Sequence, residues 1–331
     1  MELGFQAFMA EMIDYAGLFP PAKLPLPEAI ANYAEYRKGP ESWMLSRFLC
    51  PAARLEELAP FGATHLREGP PLRFSVIGGV HDDPAAFLAN LQKDLAEVAR
   101  FRERHPGRVE VDVMELRLPR SLLGKEAERP LLDFLRGAVR ILETEGPPSS
   151  RIYFEGGLVE DWRSAWPNLI EALARWNDTL MRRDAAHARA RGLGFKLRCG
   201  GADASAFPSA EQVALAVTAC RDHRLPFKAT AGLHHPFRHL DPAIETKRHG
   251  FVNVFGAALL AHASNLDEGT IRTLILDERP ENFLFGDAGF GWQGSGVASE
   301  EIQRLRGQLV TSFGSCSFEE PVADLKTLGL L

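Results

Sequence analysis

Eight short apolar runs recur along this chain of 331 residues, many of them closed by Pro or Gly and most leading into a polar loop. They are Met12–Phe19, Trp43–Cys50, Leu72–Gly79, Val109–Leu116, Arg151–Gly156, Leu193–Cys199, Pro226–Gly232 and Phe251–Gly256. Between several of them lie longer stretches with helical spacing. Ala85–Glu103 carries Leu88, Leu91, Leu95 and Val98, and Leu131–Glu143, Trp162–Ala190 and Ser209–Asp222 are of the same kind. Ser209 reads as an N-cap with Glu211 in the first turn. Strands alternating with helices predict an α/β fold with a parallel sheet, whose smallest closed form, the (β/α)8 or TIM barrel, takes about 250 residues. An open doubly wound sheet would advertise a glycine-rich phosphate turn after its first strand. GxxxxGK[ST] does not occur, and the GxGxxG spacing occurs only at Gly289–Gly294, far from the first strand. The expectation is a barrel over residues 1–262 and a C-terminal extension, 263–331, packed on it. That extension holds the Gly-rich stretch 285–292 and an amphipathic helix near Glu300–Leu309.

Composition narrows the function classes. The formal charge is -6, with 38 basic and 44 acidic residues, which argues against a nucleic-acid partner. The most apolar stretch, Phe251–Ala261, is about half a bilayer span, so no membrane partner is expected. Met1–Ala16 holds Glu2, Glu11 and Asp14 and no basic residue, unlike a secretory signal. Cys50, Cys199, Cys220 and Cys316 form no CxxC pair and read as reduced thiols of a cytoplasmic protein. Cys199 is expected to face outward as a structural thiol, and Cys316 to be a tail thiol. Trp162, Trp166 and Trp176 share one helical stretch and read as packing, or as the face of a homo-oligomer.

In a barrel of this kind the C-terminal strand ends line the active site. Those positions hold Asp14, Cys50, His81, Asp112, Glu155, Lys196, Arg198, Lys228, Thr230, His234, His235 and Asn253. Alternation puts Lys196 with Arg198 on one face, Lys228 with Thr230 and Gly232, and Asp112 with Glu110 and Met114. The basic residues are divided very unevenly, eight lysines against thirty arginines. A lysine inside an apolar strand of such a chain needs a reason, and two occur, in Gly194-Phe195-Lys196-Leu197 and Pro226-Phe227-Lys228-Ala229. A buried ammonium is costly and shifts its pKa, and a second cation nearby pushes one lysine toward the neutral amine that can form a Schiff base. The plainer account is that each lysine is paired with a carboxylate for stability.

The same segments resemble, in chain order, the deoxyribose-phosphate aldolase family of Schiff-base barrels. Ile13-Asp14-Tyr15-Ala16-Gly17-Leu18 is similar to the family's "IDHTLL", and Phe48-Leu49-Cys50-Pro51 stands where a strand ends in Asn-Pro. Ser75-Val76-Ile77-Gly78-Gly79 resembles "TVIGFP", Val109-Glu110-Val111-Asp112-Val113 resembles "EVDVV", and Ile152-Tyr153-Phe154-Glu155-Gly156 resembles "VIIET". Phe195-Lys196 with Gly200-Gly201 is similar to "FIKTSTG", Ala206-Phe207-Pro208-Ser209 to "ATPES", Phe227-Lys228-Ala229-Thr230-Ala231-Gly232 to "FKPAGG", and Phe255-Gly256-Ala257 to "FGAS". The resemblance implies Lys196 as the imine-forming nucleophile, Lys228 as the lysine that lowers its pKa, and Asp112, with Glu155, as the proton relay. The chain departs from the pattern at Ala257-Ala258-Leu259-Leu260, which lacks the serines of the family's phosphate cradle, and at Arg198 and His234-His235.

The expected function is thus an aldolase-type lyase acting on a small carbonyl compound, with no cofactor and no metal. Lys196, Lys228, Asp112 and Glu155 would be catalytic. Arg198, Thr230, Gly232, His234, Asp14 and Asn253 would contact the substrate. Two rivals remain at this level. One is a metal-dependent barrel hydrolase or isomerase using His81, Asp112, Glu155, His234 and His235. The other is a catalytically silent barrel that binds a small anion or a partner.

Overall fold

The structure is a computed structural model describing residues 2–65, 69–124, 127–183 and 192–331. Eight strands close into a parallel barrel in the order β1, β13, β7, β6, β5, β4, β3, β2. They are β1 (Ile13–Tyr15), β2 (Leu45–Pro51), β3 (Leu72–Ile77), β4 (Val109–Arg117), β5 (Arg151–Glu155), β6 (Leu193–Arg198), β7 (Phe227–Thr230) and β13 (Val310–Ser315). Seven of these strands fall on expected runs. After α1 (Leu3–Met9) and α2 (Leu26–Tyr36), the expected helices appear as α3 (Pro84–Arg104), α4 (Glu128–Glu145), α5 (Trp162–Arg183) and α6 (Ala210–Asp222). Residues 184–190 of the expected Trp162–Ala190 stretch lie outside the described residues. No helix among the described residues is long and apolar enough to cross a membrane.

The chain divides into two compact units, one of Leu24–Glu35 and Arg47–Lys196, the other of Met1–Lys23, Tyr36–Ser46 and Leu197–Leu331. In the first unit, strand alternation sorts the side chains. Phe48 and Phe74 meet at 5.8 Å, and Phe74 meets Phe101 of α3 at 5.1 Å, so this face looks outward to the helices. Phe195 packs likewise on Trp166 of α5, ring to ring at 5.9 Å. Arg73 and Ser75 take the opposite, inward face of β3. On β4 the register steps: Phe74 pairs with Val111 but Ser75 with Val113, leaving Asp112 as an extra, bulged residue. That bulge reverses the simple alternation and puts Glu115, three residues after Asp112, on the inner face.

The second unit corrects one expected strand. Phe251–Gly256 is not a strand but the start of α7 (Phe251–Ser264), whose residues 251–261 are all buried. A helix apolar on every side carries no helical stripe, and a short reading window cannot tell it from a buried strand. Gly250, in extended conformation, precedes it, and Asn265 ends it in the left-handed conformation at φ 48° and ψ 46°. Asn253, expected at a strand end near substrate, is instead an interior helix residue. Its side chain accepts from the Arg238 N–H (2.8 Å) and donates to the carbonyls of Leu274 (3.0 Å) and Asp277 (2.7 Å), tying a loop to two helix ends. The closing strand is β13, from within the 263–331 stretch expected to be an extension. It was hidden because Val310-Thr311-Ser312-Phe313-Gly314-Ser315 is small and polar. Phe313 faces outward and packs on Phe251 (5.2 Å) and Phe255 (5.7 Å). What 263–331 adds outside the barrel includes a three-stranded antiparallel sheet of β10 (Phe283–Gly286), β11 (Gly289–Trp292) and β12 (Ser295–Ala298). It also holds α8 (Glu268–Leu276), α9 (Ser299–Gln308) and α10 (Glu319–Thr327). A hairpin of β8 (His239–Asp241) and β9 (Thr246–Arg248) follows β7.

Candidate active site

Lys196 lies two residues from the end of β6, level with Glu155, the last residue of β5. Its Nζ is 2.9 Å from Glu155 Oε2 and 2.7 Å from Glu115 Oε2. The Ser75 hydroxyl donates to the other oxygen of Glu115 at 2.6 Å. All four side chains are buried, Lys196 at 5 % and Glu115 at 1 % exposure. Strand register explains the convergence. Glu115 is level with Tyr153 on β5, two residues before Glu155, so both carboxylates share the inner face. This is the C-terminal half of the strands, where barrels of this class carry their chemistry. Burial alone would push the lysine's pKa down, but the two carboxylates outweigh it and hold the pKa above the ordinary lysine value. The resting state is therefore an ammonium between two carboxylates. A lowered pKa for Lys196 was expected, and the direction is the opposite.

Asp112 is not part of that cluster. Its Oδ1 accepts from Arg47 Nε at 2.6 Å and its Oδ2 from Arg47 Nη2 at 2.7 Å, a bidentate clasp. Oδ2 also accepts from Arg73 Nη2 at 2.8 Å. Burial pushes its carboxyl upward, but the hydrogen bonds and charges of Arg47 and Arg73 prevail and hold it below the usual carboxylate range. The trio occupies the N-terminal halves of β2, β3 and β4, the end of such a barrel that serves stability. Glu115, missed by sequence reading, takes the place expected for Asp112. The signal was present as an acid inside the apolar Met114-Glu115-Leu116, but without the bulge its alternation points away from the barrel.

In the other unit Lys228, fully buried on β7, is ion-paired with Asp14 of β1 and donates to Ser312 Oγ at 3.0 Å. Ser312 of β13 in turn donates to the same Asp14 oxygen at 2.7 Å. Asp14 is thus the partner of a lysine, and Ser312 was not foreseen because its strand was not.

The remaining candidates are placed as follows. Arg198 ends β6, half-buried, with Nη1 3.4 Å from the Gly200 carbonyl. Thr230 ends β7, and its carbonyl accepts from the Cys199 N–H at 2.8 Å. Ala231 and Gly232 turn the chain through positive φ (59° and 72°). A Cβ on Gly232 would stand 2.7 Å from the Cys199 carbonyl oxygen, so this glycine serves close backbone packing. His234 Nδ1 donates to Glu320 (2.8 Å) and His235 Nδ1 to Asp324 (2.5 Å). Among the described residues no group of three or more His, Cys, Asp or Glu side chains is arranged to hold a metal ion.

Eight parallel strands in a closed ring define the class as a (β/α)8 barrel. No known family profile matches the chain, and no curated protein matches it. Among solved structures it is similar to the apo form of a "putative deoxyribose-phosphate aldolase" from Toxoplasma gondii ME49. The TM-score is 0.49 and the identity 10%, covering 98% of this chain and 95% of that one.

Proposed function

We propose that the protein is an aldolase-type lyase that makes or breaks a carbon–carbon bond in a small carbonyl compound through an imine on Lys196. One observation carries the reading: a buried barrel lysine clasped between two buried carboxylates at 2.7 and 2.9 Å. A lone buried lysine could only be charged at great cost, or neutral and inert to acid–base relay. With two carboxylates, one can accept the ammonium proton while the other keeps its charge. The freed amine attacks the substrate carbonyl carbon, and the resulting carbinolamine loses water as the stored proton is returned to its hydroxyl. The remaining carboxylate is then the counter-ion of the protonated imine, which draws electrons from the adjacent carbon–carbon bond. Hydrolysis reverses the first steps and restores the lysine. The chain-order resemblance around Phe195-Lys196 supports the same assignment. Glu115 and Glu155 move protons in this scheme, and Ser75 holds Glu115 in place. Asp112 and Lys228 are given structural roles, each within its own ion cluster.

Borohydride reduction in the presence of acetaldehyde, acetone, glyceraldehyde or pyruvate tests this. The expected result is one covalent adduct per chain by intact mass, absent in Lys196→Ala. No adduct with any of these carbonyls would instead favour a barrel that binds without turnover, the reading that the fully paired resting lysine also suits.

A further inference from the structure

Cys316, expected to be a tail thiol, stands directly after the barrel's closing strand β13 with an imidazole and a carboxylate in line behind it. Its Sγ is 3.9 Å from His234 Nε2, and His234 Nδ1 is 2.8 Å from Glu320 Oε2. The fold builds this row from three places in one unit. β13 and β7 are parallel neighbours with Gly314 level with Thr230, so Cys316 and His234 leave the barrel at the same end. The left-handed turn at Ala231 and Gly232 sets the direction of the second exit. Glu320 sits in the first turn of α10, where its backbone N–H donates to Ser317 Oγ at 3.1 Å while its carboxylate reaches the histidine. Ser317-Phe318-Glu319-Glu320 is a capping-box pattern whose acid has been turned to another use.

The chemistry follows from the partners. A carboxylate can only accept, so it fixes the His234 proton on Nδ1 and leaves the Nε2 lone pair facing the thiol. Burial pushes His234 down, against the pull of Glu320, and pushes the Cys316 thiol up. The resting pair is therefore neutral, a thiol beside a base. The backbone N–H groups of Ala22 and of Cys316 favour the thiolate once it forms. The other thiols lack such a base among the described contacts: Cys50 and Cys199 hydrogen-bond only backbone carbonyls, and burial pushes both up to about 12. Nucleophile, base and orienting carboxylate within reach of one another are the signature of covalent acyl transfer.

We propose that Cys316, His234 and Glu320 form a second site, a thiol acyl-transfer centre for activated esters or thioesters. Sγ bonds to the acyl carbon as the thiol proton passes to His234 Nε2. The bond to the leaving alcohol or thiol breaks, and that group takes the proton from His234. Water, giving its proton to His234, then attacks the Cys316 thioester and releases the acid and the free thiol. The site is independent of the imine chemistry of Lys196, so either can fail alone.

The probe is p-nitrophenyl acetate added to the native full-length protein, followed by peptide mapping of the acetylated cysteine and the time course of p-nitrophenolate release. The expected result is acetylation of Cys316 ahead of Cys50, Cys199 and Cys220, lost in Cys316→Ser. His234→Ala should slow acetylation by about 10²–10⁴-fold, the contribution of a positioned general base. Acetylation of Cys316 no faster than of Cys220 in the wild-type protein would overturn the proposal. So would an unchanged rate in a folded His234→Ala protein.

Discussion

Two ion clusters on the inner face of β4 and its neighbours are mirror images in charge. One is a lysine held by two glutamates, Lys196 with Glu115 and Glu155. The other is an aspartate held by two arginines, Asp112 with Arg47 and Arg73. Asp112 and Glu115 stand three residues apart on one strand, yet the clusters can do different things. Arginine does not give up its proton, so the Asp112 cluster has one protonation state at any ordinary pH. Lysine does, and it has two acceptors within hydrogen-bond distance. The exposures differ in the same sense. The Lys196, Glu115 and Glu155 side chains are 6%, 0% and 3% exposed, whereas Arg47, Arg73 and Asp112 are 14%, 29% and 13%. The dry cluster can relocate a proton, and the wetter one fixes strands.

The largest effect is expected where the lysine loses both acceptors. The double variant Glu115→Gln with Glu155→Gln strands a buried ammonium and should lose about 3–5 kcal/mol in urea unfolding. A loss below about 1 kcal/mol would mean that the pair is not needed to hold the charge. Glu115→Gln alone leaves Glu155 in place and should cost about 1.5–3 kcal/mol, the worth of a hydrogen bond to a charged group. A single variant as damaging as the double one would show that the carboxylates do not share the charge.

Asp112→Asn should cost less, about 1–2 kcal/mol at neutral pH, because Arg47 and Arg73 keep part of their water. This difference has a defined pH dependence. The folded pKa of Asp112 is held below the ordinary value, so between the two values the unfolded chain binds the proton more readily and stability rises with pH. The contribution is complete above the ordinary aspartate value of about 3.9 and is lost as pH falls through the folded one. Wild-type and Asp112→Asn unfolding curves should therefore converge in acid, and a gap that persists there would contradict the assignment. The smallest effect expected is none at all. If the lysine proton moves within its cluster, borohydride trapping should vary little between about pH 6 and 9. If the amine must instead be deprotonated by bulk water, the rate should climb about tenfold per unit below the lysine's pKa.

Most of the barrel was legible because alternating apolar strands and helical stretches follow directly from burial on both faces of a parallel sheet. Lys196 and Lys228 could be singled out because a charge in an apolar run demands a partner, and Glu155 and Asp14 because they stand at strand ends. Their pairing could not be read. Glu115 was concealed by one extra residue at Asp112, which inverts the alternation beyond it. Ser312 was concealed because its strand is small and polar, while the more apolar Phe251–Gly256 resembled a strand and is the start of a helix. The protonation of Lys196 also lay beyond the sequence. It depends on how many carboxylates reach the nitrogen, and that is set by strand register.

In the proposed chemistry Lys196, and not another lysine, forms the covalent bond. The measurement that tests it most directly is peptide mapping of the protein after borohydride reduction with a small carbonyl compound. The expected adduct lies on Lys196, with its formation slowed in Glu155→Gln and unchanged in Arg73→Met. An adduct on Lys228 or on surface lysines, with Lys196 unmodified, would contradict it.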